Sequence, residues 1–210
     1  MRDKIKVLFL AANPKDTGAL RLGEEVREID KKIEVGSARD AFELVQRHAL
    51  RTTDLQQVLL KHRPHIVHFS GHGSEAEEIV LEDNSGKSQP VSRQALASLF
   101  KILRDNVRIV VLNACYSKAQ AEAIGEVIDF TVGANKEVGD RAAITFAAAF
   151  YRALAFGRSV GEAFELARLE LDLVRIPGSD TPELFVREGV DATEPFLQQK
   201  DAANRGRSKK

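Results

Sequence analysis

HIVHFSGHG, residues 65–73, is an apolar run that stops at His72, a histidine with a glycine on each side. VVLNACYS, residues 110–117, has the same grammar and stops at Cys115, the only cysteine of the chain. Short runs that are nearly continuous in apolar residues read as strands buried on both faces, as in a parallel sheet covered by helices. KVLFLAA (6–12), RIVVLNA (108–114) and DFTVGA (129–134) read the same way, while FELVQRH (42–48) alternates and suits a position nearer the sheet edge. Patterns of helical period lie between them, over 20–32, 54–61, 93–104, 118–127, 141–156 and 160–173. Three begin with a hydroxyl followed three residues later by Gln or Glu, the pattern of a capping box: Thr53 with Gln56, Ser117 with Gln120 and Ser159 with Glu162. The alternation predicts an α/β fold, a doubly wound, mostly parallel sheet flanked by helices, with functional residues beyond the carboxyl ends of the strands. His72 and Cys115 both fall there, and they meet if their strands are neighbours.

The remaining segments fit around this frame. Residues 77–92 contain two short strand-like pieces around Asn84-Ser85-Gly86 and predict a hairpin just after the histidine loop. The alanine-rich helix over 142–156 can approach the sheet closely and is closed by Gly157. Residues 181–186 predict a last strand, and the polar stretch 191–210 a disordered tail behind one domain of residues 1–190.

Composition removes several function classes. Lysines plus arginines equal aspartates plus glutamates at 31 each, and there is no tryptophan, so neither a nucleic-acid partner nor a membrane surface is expected. One cysteine makes no internal disulfide, and the first apolar run ends at Asn13-Pro14, too soon for a membrane span, which points to the cytoplasm. Zinc would need more ligands than one cysteine and loosely spaced histidines supply, so no metal or cofactor is expected. His48, His62 and His65 read as surface or strand-edge residues, and His68, inside its apolar run, as a satisfied core histidine. Glycine-rich phosphate loops are absent, which argues against a nucleotide-binding or receiver domain.

A cysteine attacks as thiolate, and a helix N-terminus or an imidazolium lowers its pKa. Cys115 precedes the cap expected at Ser117, and the Gly73 amide is placed to help hold an oxyanion. Thiol, base and backbone donors form a minimal acyl-transfer apparatus. The bland alternative is a buried cysteine acting as a small hydrophobe and a histidine in a turn.

The paired text HFSGHG and VVLNACYS resembles caspase-like peptidases, and the 43 residues between His72 and Cys115 are near the roughly 50 seen in caspases. LFLAANPKDT, LRLGEEVREI, HIVHFSGHG, VVLNACYS, VGDRAAITFAAAFYRAL and GRSVGEAFELA, in that order over about residues 4–188, resemble the CHAT domain of prokaryotes. The resemblance implies a caspase-hemoglobinase fold and a cysteine endopeptidase acting on protein or peptide substrates. In it His72 is the base or ion-pair partner, Cys115 the nucleophile, and the amides of Gly73 and Cys115 the oxyanion hole. Asn113, two before the cysteine, takes the place that lines the pocket for P1, the residue before the cleaved bond. Its neutrality leaves that preference open. Asn13, Asp16 and Arg21 after the first strand, with Glu137 and Asp140 in VGANKEVGD, are further candidate pocket walls, although Asp140 could instead cap the next helix. NACYS replaces the glutamine and the following glycine of the caspase motif, so aspartate specificity does not transfer. Many CHAT domains follow sensing repeats that these residues do not contain. A separate activating protein or self-association is therefore expected, with loop 77–92 or 133–140 holding the site incomplete until then. The competing reading is a non-catalytic adaptor on the same fold.

Overall fold

The computed structural model describes residues 4–74 and 76–197. Six strands form one sheet: β1 (Ile5–Ala11), β2 (Phe42–Arg47), β3 (Ile66–Ser70), β6 (Ile109–Asn113), β7 (Phe130–Ala134) and β8 (Pro182–Val186). Their order is β2-β1-β3-β6-β7-β8, with β8 alone antiparallel to its neighbour. The chain fills β2 on one side of β1 and then crosses to β3 on the other, so the order reverses between β1 and β3. That switch point is where open α/β sheets leave a crevice. The alternating 42–48 segment is the edge strand, as its pattern implies.

Strand parity divides the core. Ile5, Val7, Phe9, Ile66, Ile109 and Val111 face helices α1 (Leu22–Glu34), α5 (Asp140–Ala155) and α6 (Val160–Leu173). Leu8, Leu10, Val67, Phe69, Val110 and Leu112 face α2 (Leu55–His62), α3 (Arg93–Leu103) and α4 (Lys118–Gly125). Both faces of the central strands are therefore dry, which is why they carry no alternation in sequence. The alanines of α5 let it pack against both α1 and α6, and Gly157, at φ 81°, ends it.

The hairpin consists of β4 (Val80–Glu82) and β5 (Ser88–Pro90). Its loop is longer than a two-residue turn. Asp83 Oδ1 accepts from the amides of Ser85 and Lys87 and from the Ser85 hydroxyl, and Gly86 sits at φ 77°.

Of the three expected capping boxes only Ser159 with Glu162 forms. Asp54, not Thr53, precedes α2, and Ser117 gives no cap bond to α4. Ser117 is buried, and its hydroxyl faces the carbonyls of Leu112 and Ala114 and the amide of Ala134. A buried hydroxyl ringed by three backbone groups has no capacity left for a cap. Ser92, at the start of α3, caps through Ala95 N instead. The domain also runs past residue 190: Phe196 is buried, Gly161 N donates to Ala192 O, and Ser159 bridges Pro195. The expected tail thus starts too early at 191, because Val190, Ala192, Phe196 and Leu197 pack on the α5–α6 side of the core. Its remainder, 198–210, lies outside the described residues.

Candidate active site

Strands β3 and β6 are adjacent and in register, with Ser70 paired to Asn113. His72 and Cys115 each lie two residues past that pair, so they leave the sheet side by side. They line one narrow cleft of about 40 Å³ together with Leu20, Arg21, Glu25, Asn113, Val138 and Asp140.

The glycines beside His72 answer to the chain itself. A Cβ on Gly73 would lie 1.7 Å from the Cys115 carbonyl oxygen, and one on Gly71 would lie 2.8 Å from that of Ala12. Neither glycine has a positive φ, so close approach of the backbone, rather than a left-handed turn, requires them. The loop holding the imidazole is thus pressed against the backbone of the cysteine.

His72 Nε2 lies 2.8 Å from the Gly18 carbonyl. A carbonyl only accepts, so Nε2 carries the proton and Nδ1 is the acceptor of the neutral ring. The Cys115 sulfur accepts from Val138 N at 3.4 Å and donates to Val138 O at 3.8 Å. Its amide donor is therefore the loop after β7, not the first turn of α4. Tyr116 follows at φ 53°, an uncommon conformation for a bulky residue, and its amide bonds Lys136 O. Loop 135–138 is anchored in turn by Asn135 N to Thr181 O and by Lys136 to Asp180 at 2.7 Å.

Beneath the cleft lies a group that the sequence reading missed. Glu25, 3% exposed, accepts from His68 Nε2 at 2.8 Å and Asn113 Nδ2 at 2.6 Å through Oε1, and from the Ser70 hydroxyl through Oε2. His68 also bonds the Tyr151 hydroxyl at 3.2 Å and stacks on Phe9. Burial, helped by the Glu25 charge, pushes the Tyr151 phenol well above its usual range. A signal existed: Glu25 falls on the stripe Leu22, Val26, Ile29, Ile33 that buries α1, and an acid there needs partners. His68, Ser70 and Asn113 are those partners, all on the α1 face of their strands.

The remaining candidates separate. Arg21 and Asp140 meet across the cleft mouth at 3.6 Å, and Asp140 is the first residue of α5, capped by Gly139. Asn113 is in the cleft, but its amide is committed to Glu25 and to Ala143 O. Asn13 and Asp16 turn to the hairpin: Asn13 N bonds Glu82, and Asp16 accepts from the hydroxyl and amide of Ser88. Those Ser88 bonds hold the Asp16 carboxyl below its usual range. Glu137 faces a separate groove with Lys136, Arg141 and Arg175. Among the described residues there is no group of three or more His, Cys, Asp or Glu side chains fit to hold a metal, and no helix long and apolar enough to cross a membrane.

The family model of the CHAT domain matches residues 7–176, most of the chain and all of this site. The chain belongs to the CHAT domain family. A Roc-COR-CHAT protease from an unknown prokaryotic organism is 26% identical over 179 residues, 82% of this chain and 17% of that protein. A probable protease from Gillisia limnaea is 23% identical over 150 residues, 70% of this chain and 26% of that protein. The chain thus spans about a quarter or less of the relatives it matches. In fold, the CHAT domain resembles the Drosophila initiator caspase Dronc, with a TM-score of 0.54 at 8% identity over 87% of this chain and 81% of that one. It also resembles a secreted C11 cysteine protease from Bacteroides thetaiotaomicron, solved with an irreversible peptide inhibitor, with a TM-score of 0.53 at 11% identity over 73% and 56% of the two chains. The sheet with its flanking helices is therefore a caspase-like fold.

Proposed function

We propose that this CHAT domain is a cysteine endopeptidase in which Cys115 is the nucleophile and His72 its base. The observation that carries the reading is the equal overhang of the two residues from paired strands, with Gly73 abutting Cys115. In the reaction the imidazole takes the thiol proton and the thiolate attacks the scissile carbonyl. The amides of Gly73 and Cys115 hold the oxyanion. The amine leaves with the proton returned by His72, and water then hydrolyses the thioester. The protease names of the relatives support the same chemistry.

The cleft favours a P1 side chain without charge. Asp140 pairs with Arg21, a guanidinium it shares with Glu24, both oxygens of Glu25 already accept hydrogen bonds, and Leu20, Leu22, Val138 and Ile144 supply apolar wall. A cation entering here would meet only carboxylates that are already engaged.

The resting site is latent in this reading. His72 is bonded to Gly18 and Cys115 to Val138, so both hydrogen-bond to backbone rather than to each other. An activating protein or self-association would shift loop 135–138 and release the thiol. This latency also favours the second reading, an adaptor in which the pair never assembles. One experiment separates them: the pH dependence of Cys115 alkylation in wild type and His72→Ala, with and without the native upstream or downstream partner. An apparent pKa well below about 8.5 that rises on His72→Ala supports the peptidase. A thiol indifferent to His72 under every condition supports the adaptor.

A further inference from the structure

A second concave site opens at the edge of the sheet, beyond the carboxyl end of β2. It is a groove of about 260 Å³ lined by Arg47, His48, Ala49, Leu50, Asp54 and Gln57, and by Val58, Lys61 and His62 of α2. Two permanent cations and two imidazoles thus meet around one carboxylate, Asp54. Among the described residues neither Arg47 nor Lys61 has an ion-pair partner. The Arg47 guanidinium donates instead to its own neighbour's carbonyl, Gln46 O, at 2.6 Å and to His62 Nε2 at 2.8 Å. Arginine only donates, so His62 Nε2 must be the acceptor and that ring is neutral. The groove therefore sets two permanent cations against the single carboxylate of Asp54, a local positive excess in a chain whose total charge is zero.

We propose that this groove binds a small phosphate-bearing anion. A phosphate offers several acceptor oxygens and up to two negative charges, so it can take the guanidinium fork, the Lys61 ammonium and a protonated His62 together, which a single carboxylate cannot. The groove has room for a small anion, and its concavity sets it apart from a flat basic face for a polymer. The site is independent of whether Cys115 cuts peptides.

Binding carries a proton signature. In the free protein burial holds the His62 pKa down, and Arg47, Lys61 and Lys6 add to this against the opposing charge of Glu43. Asp54 is the other carboxylate at the groove. An anion between Arg47 and Lys61 reverses the sign of the field on the ring and raises its pKa, so binding takes up a proton. Affinity is then greatest below the free-state pKa of His62 and falls as pH rises through the bound-state value.

The test is an NMR titration of the five histidines at constant ionic strength, with His62 assigned by His62→Gln. The probes are inorganic pyrophosphate, adenosine triphosphate and, as a carboxylate polyanion, citrate. Saturating pyrophosphate is expected to raise the His62 pKa by about one pH unit. By the same linkage a one-unit rise tightens binding by at most about tenfold, at pH well below the free-state value, and with that value held below the ordinary one binding is expected to be about threefold tighter at pH 6 than at pH 8. Lys61→Met, at an exposed position, and Arg47→Gln should each weaken both effects while leaving the Cys115 alkylation rate unchanged. Adenosine triphosphate binding more tightly than pyrophosphate would name a nucleotide as the source, and equal binding a free phosphate. The proposal is overturned if His62 titrates identically with and without pyrophosphate, if the shift survives in the double variant, or if citrate matches the phosphates.

Discussion

Gly73→Ala tests the site at its tightest point. The added methyl would begin 1.7 Å from the Cys115 carbonyl oxygen and 2.8 Å from its carbonyl carbon, where real Cβ atoms keep at least 3.0 Å. Both obstacles are backbone, so no rotamer relieves them, and the histidine loop must separate from the cysteine by more than an ångström. Such overpacking costs about 1–3 kcal/mol of stability. A misplacement on the order of 1 Å between reacting groups costs on the order of a hundredfold in rate. The assay pairs urea unfolding with turnover of a peptide library by the proposed peptidase. Alkylation of Cys115 supplies a third reading that does not depend on turnover. Gly71→Ala is the control: its methyl meets Ala12 O at 2.8 Å and the edge of the Phe69 ring at 2.9 Å. It strains the loop without pushing on Cys115, so it should lower stability and leave more of the turnover. The reasoning is refuted if Gly73→Ala unfolds and turns over like wild type, or if the two variants lose turnover equally.

Glu25→Ala removes the acceptor of two buried donors, His68 and Ser70, and of the half-buried Asn113. It should destabilise by about 3–5 kcal/mol in urea melts, with Glu25→Gln, which keeps one acceptor oxygen, clearly milder. Tyr151 should add nothing to the phenolate absorbance at 295 nm while the protein stays folded. Its folded pKa is raised, so its contribution to stability is intact below the unfolded value and is lost as pH rises above about 10. Base unfolding and the Tyr151 absorbance step should therefore coincide, and Tyr151→Phe should remove the step. In a library of otherwise identical peptides, cleavage after leucine or methionine should exceed cleavage after arginine or aspartate by at least tenfold; the reverse order would show that the Glu25 or Arg21 charge is available to substrate.

Much of the sheet was legible because its strands are buried on both sides. A dry central strand has to be continuously apolar, and four such runs, with the alternating edge segment 42–48, gave the parallel order its pieces. The point where each run turned polar then located His72 and Cys115. What sequence did not show was which hydroxyl or amide a polar residue would meet across the fold. Ser117 and Gln120 have the spacing of a capping box, yet tertiary contacts claim both: Ser117 stays among three backbone groups, and Gln120 holds Ile79 N and Val91 O of the hairpin segment. Asn13 and Asp16 follow the strand that builds the cleft, but a loop's direction is set by what it packs on, and the hairpin takes them. Glu25 went unread because a single acid on an apolar stripe is visible only when the stripe is counted residue by residue.

The way Asn13, Lys15 and Asp16 hold the hairpin has a mechanical consequence. A hairpin tip is ordinarily where a chain absorbs insertions without cost. Here Lys15 bonds the carbonyls of both Gly86 and Ser85, and Asp16 bonds Ser88, so the tip is sewn to the loop that continues to Gly18. Gly18 is the carbonyl that orients His72. Lengthening the tip by even a residue or two would pull on a thread only a few residues long whose other end is the imidazole, making this stretch of surface one of the least permissive sites for a tag or a graft.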